Sequence, residues 1–282
     1  MTAGRDGALH PVMKRRKFAR MAESSSSEHP DDPYYYGSRW CPVHLPDGRV
    51  ELREIPLTPE DFLDPQLGDQ FVQAYWHGVH VACLFVQVLD HYKSSPDVLV
   101  SSRLKMRWGI PGLPEPDPDI AVIRGVRDKE AERQSFLVQE ERVRPCLVVE
   151  VASDTPEFRS KDYNEKVSIY ESAGVQEYLI LEPLYTGEGF SRMTGYRLDA
   201  QGRYGAAEPD QRDFFSGTTG LWFRLTPDGQ KLYLVDVGKG KCLETHGEAK
   251  ARADSEAETR RQLEAEIARL REDLERFKRT GD

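Results

Sequence analysis

Apolar and polar positions change period repeatedly along this chain, and each change marks an element. From Tyr75 to Tyr92 the residues Val79, Val81, Leu84, Phe85, Val88 and Leu89 cover most sides of a 3.6-residue period, which predicts a buried helix. Upstream, Thr58-Pro59-Glu60-Asp61 reads as a helix start, with Thr as N-cap and Pro at the first helical position, and Pro65 and Gly68 keep that helix short. Val98 to Trp108 alternates instead. Val98, Val100, Ser102, Leu104, Met106 and Trp108 share one face and Arg103, Lys105 and Arg107 the other, which predicts a half-buried strand with a cationic outer face.

A turn-rich stretch, Pro111 to Pro118, leads into a short strand, Asp119 to Ile123. Cys146 to Ala152 is a continuous apolar run, Asp162 to Ala173 a helix closed by Gly174 in a left-handed cap, and Glu177 to Leu181 a further strand. Strand, helix and strand in that order predict a right-handed crossover between parallel strands. Turn signals at Asp199-Ala-Gln-Gly, Pro227-Asp-Gly and Gly238-Lys-Gly then divide Met193 to Leu243 into an antiparallel meander. Beyond it, Leu263, Ile267, Leu270, Leu274 and Phe277 follow the four-three spacing of a coiled-coil seam. Two clean heptads are too few to stand alone in water, so this helix pairs in a homodimer or packs back on its own domain.

Composition organises these elements. Residues 1–33 carry a basic cluster, Lys14-Arg15-Arg16-Lys17, then a run of serines and a Pro- and Asp-rich stretch, too poor in apolar groups to fold, so they are expected to be a disordered tail, with Met21 as an alternative start. Residues 34–245 then form the folded domain and 246–282 the C-terminal helix. The net charge is -9. The tail holds six basic and five acidic residues and the last segment nine and ten, so the acidity resides in residues 34–245, with 24 basic against 33 acidic. That balance excludes coating of nucleic acid by bulk attraction and leaves local phosphate contacts open. No apolar run approaches the roughly 20 residues that cross a bilayer, and no secretion signal follows the basic cluster, so a cytoplasmic protein without a membrane partner is expected. Cys41, Cys83, Cys146 and Cys242 have no paired spacing and read as reduced packing residues.

Three charges stand where packing alone would not put them. Glu150 interrupts the strand Leu147-Val-Val-Glu-Val151, where an unpaired carboxylate would cost several kcal/mol or take up a proton. Lys166 falls inside the inward stripe that Tyr163, Val167, Tyr170 and Ala173 define. Asp119 opens its strand after Pro118, where an aspartate is equally at home as a turn residue. Two carboxylates at strand ends and one inward ammonium suit a hard divalent cation that keeps waters for a phosphate, Mg²⁺ first and Mn²⁺ second. A Glu150–Lys166 ion pair that only pins helix to strand accounts for the same residues. His77 and His80 lack the frame of a zinc site and read first as core histidines. Trp108 is either a base-stacking aromatic or a buried strand-end residue.

The segments Pro118-Asp119-Ile-Ala-Val-Ile, Pro145-Cys-Leu-Val-Val-Glu150-Val-Ala-Ser153, Asp162-Tyr-Asn-Glu-Lys166 and Tyr170-Glu-Ser-Ala-Gly174-Val-Gln-Glu-Tyr178-Leu-Ile together resemble the Uma-type family of restriction-endonuclease-like proteins, within the PD-(D/E)xK phosphodiesterase superfamily. The resemblance runs over about residues 55 to 245. It implies an α/β fold, a restriction-endonuclease-like mixed sheet flanked by helices, extended by the antiparallel meander and the C-terminal helix. It implies a metal-dependent endonuclease acting on DNA, with Asp119 and Glu150 as metal ligands and Lys166 as the catalytic lysine. The superfamily's usual lysine position, two after the second acid, is Ala152 here, and Lys166 on the following helix takes the role. Asp162 and His77 are implied as accessory residues, Asp154 stands where the family often has proline, and Arg103, Lys105 and Arg107 are the candidate phosphate contacts. The competing reading is a catalytically silent nuclease fold that recruits a partner through its coiled coil.

Overall fold

The computed structural model describes residue 32 and residues 34–184, 189–206 and 212–280; the expected tail, with its basic cluster and Met21, lies outside the described residues. In chain order the first elements are strands β1 (Gly37–His44), β2 (Val50–Pro56) and β3 (Gln70–Phe71), helix α1 (Tyr75–His91) and strands β4 (Val98–Ser101), β5 (Lys105–Arg107), β6 (Ile120–Arg124) and β7 (Ser135–Leu137). Helix α2 (Val138–Glu141), strand β8 (Pro145–Val151), helices α3 (Pro156–Ser160) and α4 (Lys166–Ala173) and strand β9 (Glu177–Pro183) follow, with a π-helical turn, Lys161–Glu165, between the two helices. Strands β10 (Phe190–Leu198), β11 (Tyr204–Ala206), β12 (Asp213–Ser216), β13 (Leu221–Leu225), β14 (Leu232–Asp236) and β15 (Lys241–Cys242) precede helix α5 (His246–Thr280).

The central sheet is mixed, in the order β11-β10-β9-β8-β6-β4. Its one parallel pair is β8 with β9, joined by the helical segment, and the remaining neighbours are antiparallel. Both parallel strands are buried along their whole length, because each has a covered face on either side. Leu147, Val149 and Val151 pack with Val81, Leu84 and Val88 of α1 and with Phe214, Phe223 and Leu234 of the β12–β15 sheet. Val148, Ile180, Ala121 and Ile123 pack on the opposite face with Ile169, Tyr170 and Ala173 of α4. By strand alternation Glu150 and Ala152 belong to this second face. The α/β class, the flanking helices, the crossover and the antiparallel extension agree with the sequence.

Several elements depart from expectation. The helix expected at Thr58 is a single 3₁₀ turn, Asp61–Leu63: the Asp61 carboxylate caps Thr58 as at a helix start, but Pro65 forces Asp64 out of the helical region and ends the turn. Helix α1 buries only the stripe His77, His80, Val81, Leu84, Gln87 and Val88, while Tyr75, Cys83 and Leu89 face outward. The expected strand Val98 to Trp108 is broken at Arg103, whose φ of 53° turns the chain through the left-handed region. It therefore leaves β4 in the central sheet and sends β5 to a separate parallel pair with β7. The meander divides as well: β10 and β11 extend the central sheet and β12–β15 form a second one, stacked where a Cβ at Gly195 would collide with the Phe214 ring. The hairpin of β1 and β2 had no counterpart in the sequence reading. Of the cysteines, Cys146 is buried and Cys83 and Cys242 are exposed.

Candidate active site

The antiparallel register that sets Ile120 against Val149 places Asp119 and Glu150 as the next pair, on the face that α4 covers. Two carboxylates directly opposite on one buried face repel, so the arrangement persists only with compensating donors. The Asp119 Oδ2 accepts from the Val151 backbone N–H at 2.9 Å, and the Asp119 N–H points to Glu150 Oε2 at 3.4 Å. Glu150 Oε1 accepts from the Tyr170 hydroxyl at 2.7 Å and lies 3.0 Å from Lys166 Nζ. Lys166 and Tyr170 are four residues apart on α4 and so reach the same carboxylate.

The π-helical turn supplies the remaining acid. Asp162 lies in this turn four residues before Lys166 and so shares the lysine's face, with Oδ1 3.0 Å from Nζ. The Tyr178 hydroxyl donates to the Asp162 carbonyl oxygen at 3.0 Å, satisfying an acceptor at the widened turn. The Lys166 ammonium also lies 4.1 Å from the centre of the Phe62 ring, which stacks on Phe158. Asp119, Glu150, Asp162 and Lys166 are 6%, 2%, 1% and 2% exposed, so the cluster is closed beneath the 3₁₀ turn.

His77, on α1, approaches from the other side. Its Nε2 is 2.9 Å from the Val151 carbonyl oxygen and 3.4 Å from Asp119 Oδ2. Its Nδ1 is buried and has no hydrogen-bond partner among the described residues. His80, one turn along, packs its ring 4.6 Å from that of Phe190.

The electrostatics follow from three acids facing one ammonium in a dry site. Burial drives the Glu150 carboxyl up to about 8; Lys166 pulls it back and Asp119 and Asp162 push it further. Burial acts on Asp119 in the same sense, but His77, Lys166 and the Val151 N–H outweigh it and hold this acid at about 2. Asp162 is raised, chiefly by burial. Burial opposes the charge on Lys166, yet Asp162, Glu150 and Asp119 more than offset it and raise the ammonium's pKa. His77 is likewise raised, Asp119 outweighing its burial.

Beside the cluster opens a cavity of about 330 Å³ whose lining includes Asp69, Gln70, Phe71, Arg103 and Asp117. Arg103 stands 3.8 Å from Asp117, a carboxyl that burial raises and that feels both Lys166 and Asp119. The other members of the cationic stripe are also matched, Lys105 to Asp64 at 2.6 Å and Arg107 to Glu115 at 3.4 Å. Trp108 is buried and donates its indole N–H to the Pro114 carbonyl, so it offers no face for stacking. Asp154 is exposed in the loop after β8.

The structure thus brings Asp119, Glu150, Lys166, Asp162 and His77 together and leaves Lys105 and Arg107 outside the cluster. Sequence reasoning missed Tyr170 and Phe62 as partners of the cluster. The four-residue step from Lys166 to Tyr170 was available as a signal for the first, whereas nothing local pointed to Phe62. The chemistry of the donor set fits a hard divalent cation: the opposed carboxylates of Asp119 and Glu150, with Asp162 nearby, supply hard oxygen donors that outnumber the one ammonium. No three His, Cys, Asp or Glu side chains form a finished metal cage among the described residues, so water or phosphate oxygens would complete the coordination.

An α/β domain with acids at adjacent strand ends, where the carboxyl ends of the parallel pair form the crevice, and a lysine on the crossover helix has the layout of a nuclease domain. The chain belongs to the Uma2 family, described as "Putative restriction endonuclease", whose model matches residues 73–227. Among solved structures it is similar to one titled as a putative nuclease belonging to DUF820 from Anabaena variabilis ATCC 29413, at 14% identity over 69% of this chain and 84% of that one, with a TM-score of 0.36. No curated protein matches the chain.

Proposed function

We propose that the chain is a metal-dependent endonuclease that hydrolyses phosphodiester bonds of DNA, with Mg²⁺, or Mn²⁺ in its place, held by Asp119 and Glu150. The observation that carries this reading is the buried contact of Lys166 with Glu150 at 3.0 Å, beside Asp119 on the neighbouring strand. Family membership supports the reaction class. The catalytic unit in this reading is residues 34–245, with residues 246–282 as an appended helix. A cytoplasmic location is part of this reading; no helix among the described residues is long and apolar enough to cross a membrane.

The bound cation would polarise a phosphoryl oxygen and make its water a stronger nucleophile at neutral pH. The chain's own groups do the rest. Lys166 stays protonated, because its pKa is raised, so it serves as a hydrogen-bond donor to the attacking water and to charge building on the phosphate, not as a base. As the water oxygen bonds to phosphorus it gives up a proton to solvent, the P–O bond to the leaving sugar oxygen breaks, and that oxygen takes a proton from solvent. Tyr170 fixes one Glu150 oxygen, His77 and the Val151 N–H fix one Asp119 oxygen, and Asp162 holds Lys166 between two acids. Arg103, at the cavity mouth, is the cation best placed for a phosphate of the incoming strand.

A second reading, a silent nuclease fold, is favoured by the enclosure of the cluster, whose lysine is already engaged by two acids. One experiment separates the two. Purified protein is assayed on single-stranded, double-stranded and branched DNA with Mg²⁺, Mn²⁺ or EDTA, alongside Glu150→Ala and Lys166→Ala. Metal-dependent nicking lost in both variants supports the nuclease; no cleavage by the wild type under any condition, or cleavage surviving both changes, overturns it.

A further inference from the structure

Helix α5 extends 35 residues, about 50 Å at 1.5 Å per residue, and carries an apolar stripe that its own domain does not cover. Leu263, Ile267, Leu270 and Leu274 are 54%, 49%, 60% and 56% exposed, which removes the alternative that the seam packs back on the chain that bears it. Four large aliphatic side chains in line on one polar helix form a surface that water does not stabilise. Their spacing sets Ile267 and Leu274 at one core position of the heptad and Leu263 and Leu270 at the other.

The flanking charges select the occupant. With that frame, Glu266 and Asp273 occupy the position before each first core residue, and Glu264, Arg271 and Lys278 the position after each second. In a parallel, in-register pair each flanking residue meets the one five positions further along the second copy. Glu266 then faces Arg271, twice by symmetry, and the contact is attractive. In the antiparallel register that opposes Ile267 to Leu270, Glu266 faces Asp273 of the second copy while Glu264 faces Arg271, so repulsion and attraction cancel and the charges add nothing. Ile267 with Leu263 and Leu270 at the other core position follows the pattern that favours two parallel strands, and Leu274 departs from it.

We infer that α5 is the interface of a homodimer, a parallel two-stranded coiled coil in register over residues 263–280. This pairing is independent of whether the domain cleaves DNA. It is tested on the full chain in a background of Cys41→Ser, Cys83→Ser and Cys242→Ser, with Leu263→Cys and Leu274→Cys introduced singly. In the parallel pair each new thiol meets its own counterpart, so both single variants should oxidise to covalent dimers while the background does not. Sedimentation of the wild type should show a concentration-dependent monomer–dimer equilibrium. Glu266→Lys should raise its dissociation constant by about tenfold and Glu266→Lys with Arg271→Glu should restore it. A monomer at every concentration, or cross-linking only when the two cysteine variants are mixed, overturns the inference, the second result showing antiparallel helices.

Discussion

Lys166 Nζ and Glu150 Oε1 stand 3.0 Å apart with both side chains 2% exposed, so neither charge has water to fall back on. Deleting one member of such a pair strands the other, at a cost of about 3–5 kcal/mol. Lys166→Met should therefore lower the free energy of unfolding in urea by roughly that amount above about pH 8, where Glu150 is ionised. Adding Glu150→Gln should recover much of it, since the stranded charge is gone. Both variants should lose DNA nicking. Equal stability of Lys166→Met and the wild type would show that the pair contributes nothing to the fold.

Ala152 is fully buried two residues beyond Glu150, just past the end of β8, and packs in the same core layer as Val148 and Ile180. A lysine there would reach the same carboxylate from the strand that Lys166 reaches from the helix. In the Lys166→Ala background, Ala152→Lys should restore measurable nicking, whereas in the wild type it should overpack the site and cost about 1–3 kcal/mol. Failure to rescue in a folded double variant would show that the helix position itself is required.

The lifted carboxyl of Glu150 makes the metal-free protein sensitive to alkali. An unfolded chain releases this proton near the ordinary value of 4.5, whereas the folded site keeps it up to about 8. Between those values the unfolded state binds fewer protons, so stability is greatest below pH 4.5 and is lost as pH rises through about 8. Asp119, held at about 2, contributes in the opposite sense, but only below its ordinary value of 3.8. Urea midpoints in EDTA should fall across that window, and Glu150→Gln should flatten the fall. A midpoint unchanged by that substitution at every pH would remove Glu150 from the account.

Arg103→Ala should weaken DNA binding about equally for all sequences and reduce the slope of log affinity against log salt by about one unit. Lys105→Ala should change it less, because Lys105 is held by Asp64 at 2.6 Å and by the Pro65 carbonyl at 2.7 Å. Fluorescence anisotropy at several salt concentrations reads both.

The crossover, the buried strand around Glu150 and the inward lysine were legible because each is local: an apolar run, a helical stripe and a left-handed glycine cap. The break at Arg103 was not, since strict alternation across Val98 to Trp108 describes one continuous strand until tertiary partners claim its halves. Nor could periodicity show the π-helical turn, because residues four apart share a face with or without it. Phe62 lies more than a hundred residues from Lys166 in sequence, and a ring over an ammonium leaves no local mark. Burial of α1 was overstated because hydropathy counts Leu89 as inward wherever the helix sits.

Arg103 also sets stability against grip. Its left-handed backbone is a conformation that costs a side-chain-bearing residue about 1–2 kcal/mol and glycine almost nothing. Arg103→Gly should thus give a chain that unfolds later yet holds DNA less well. A screen that rewards thermal tolerance alone would drift toward the glycine and discard the substrate's handhold without any sign of damage to the fold.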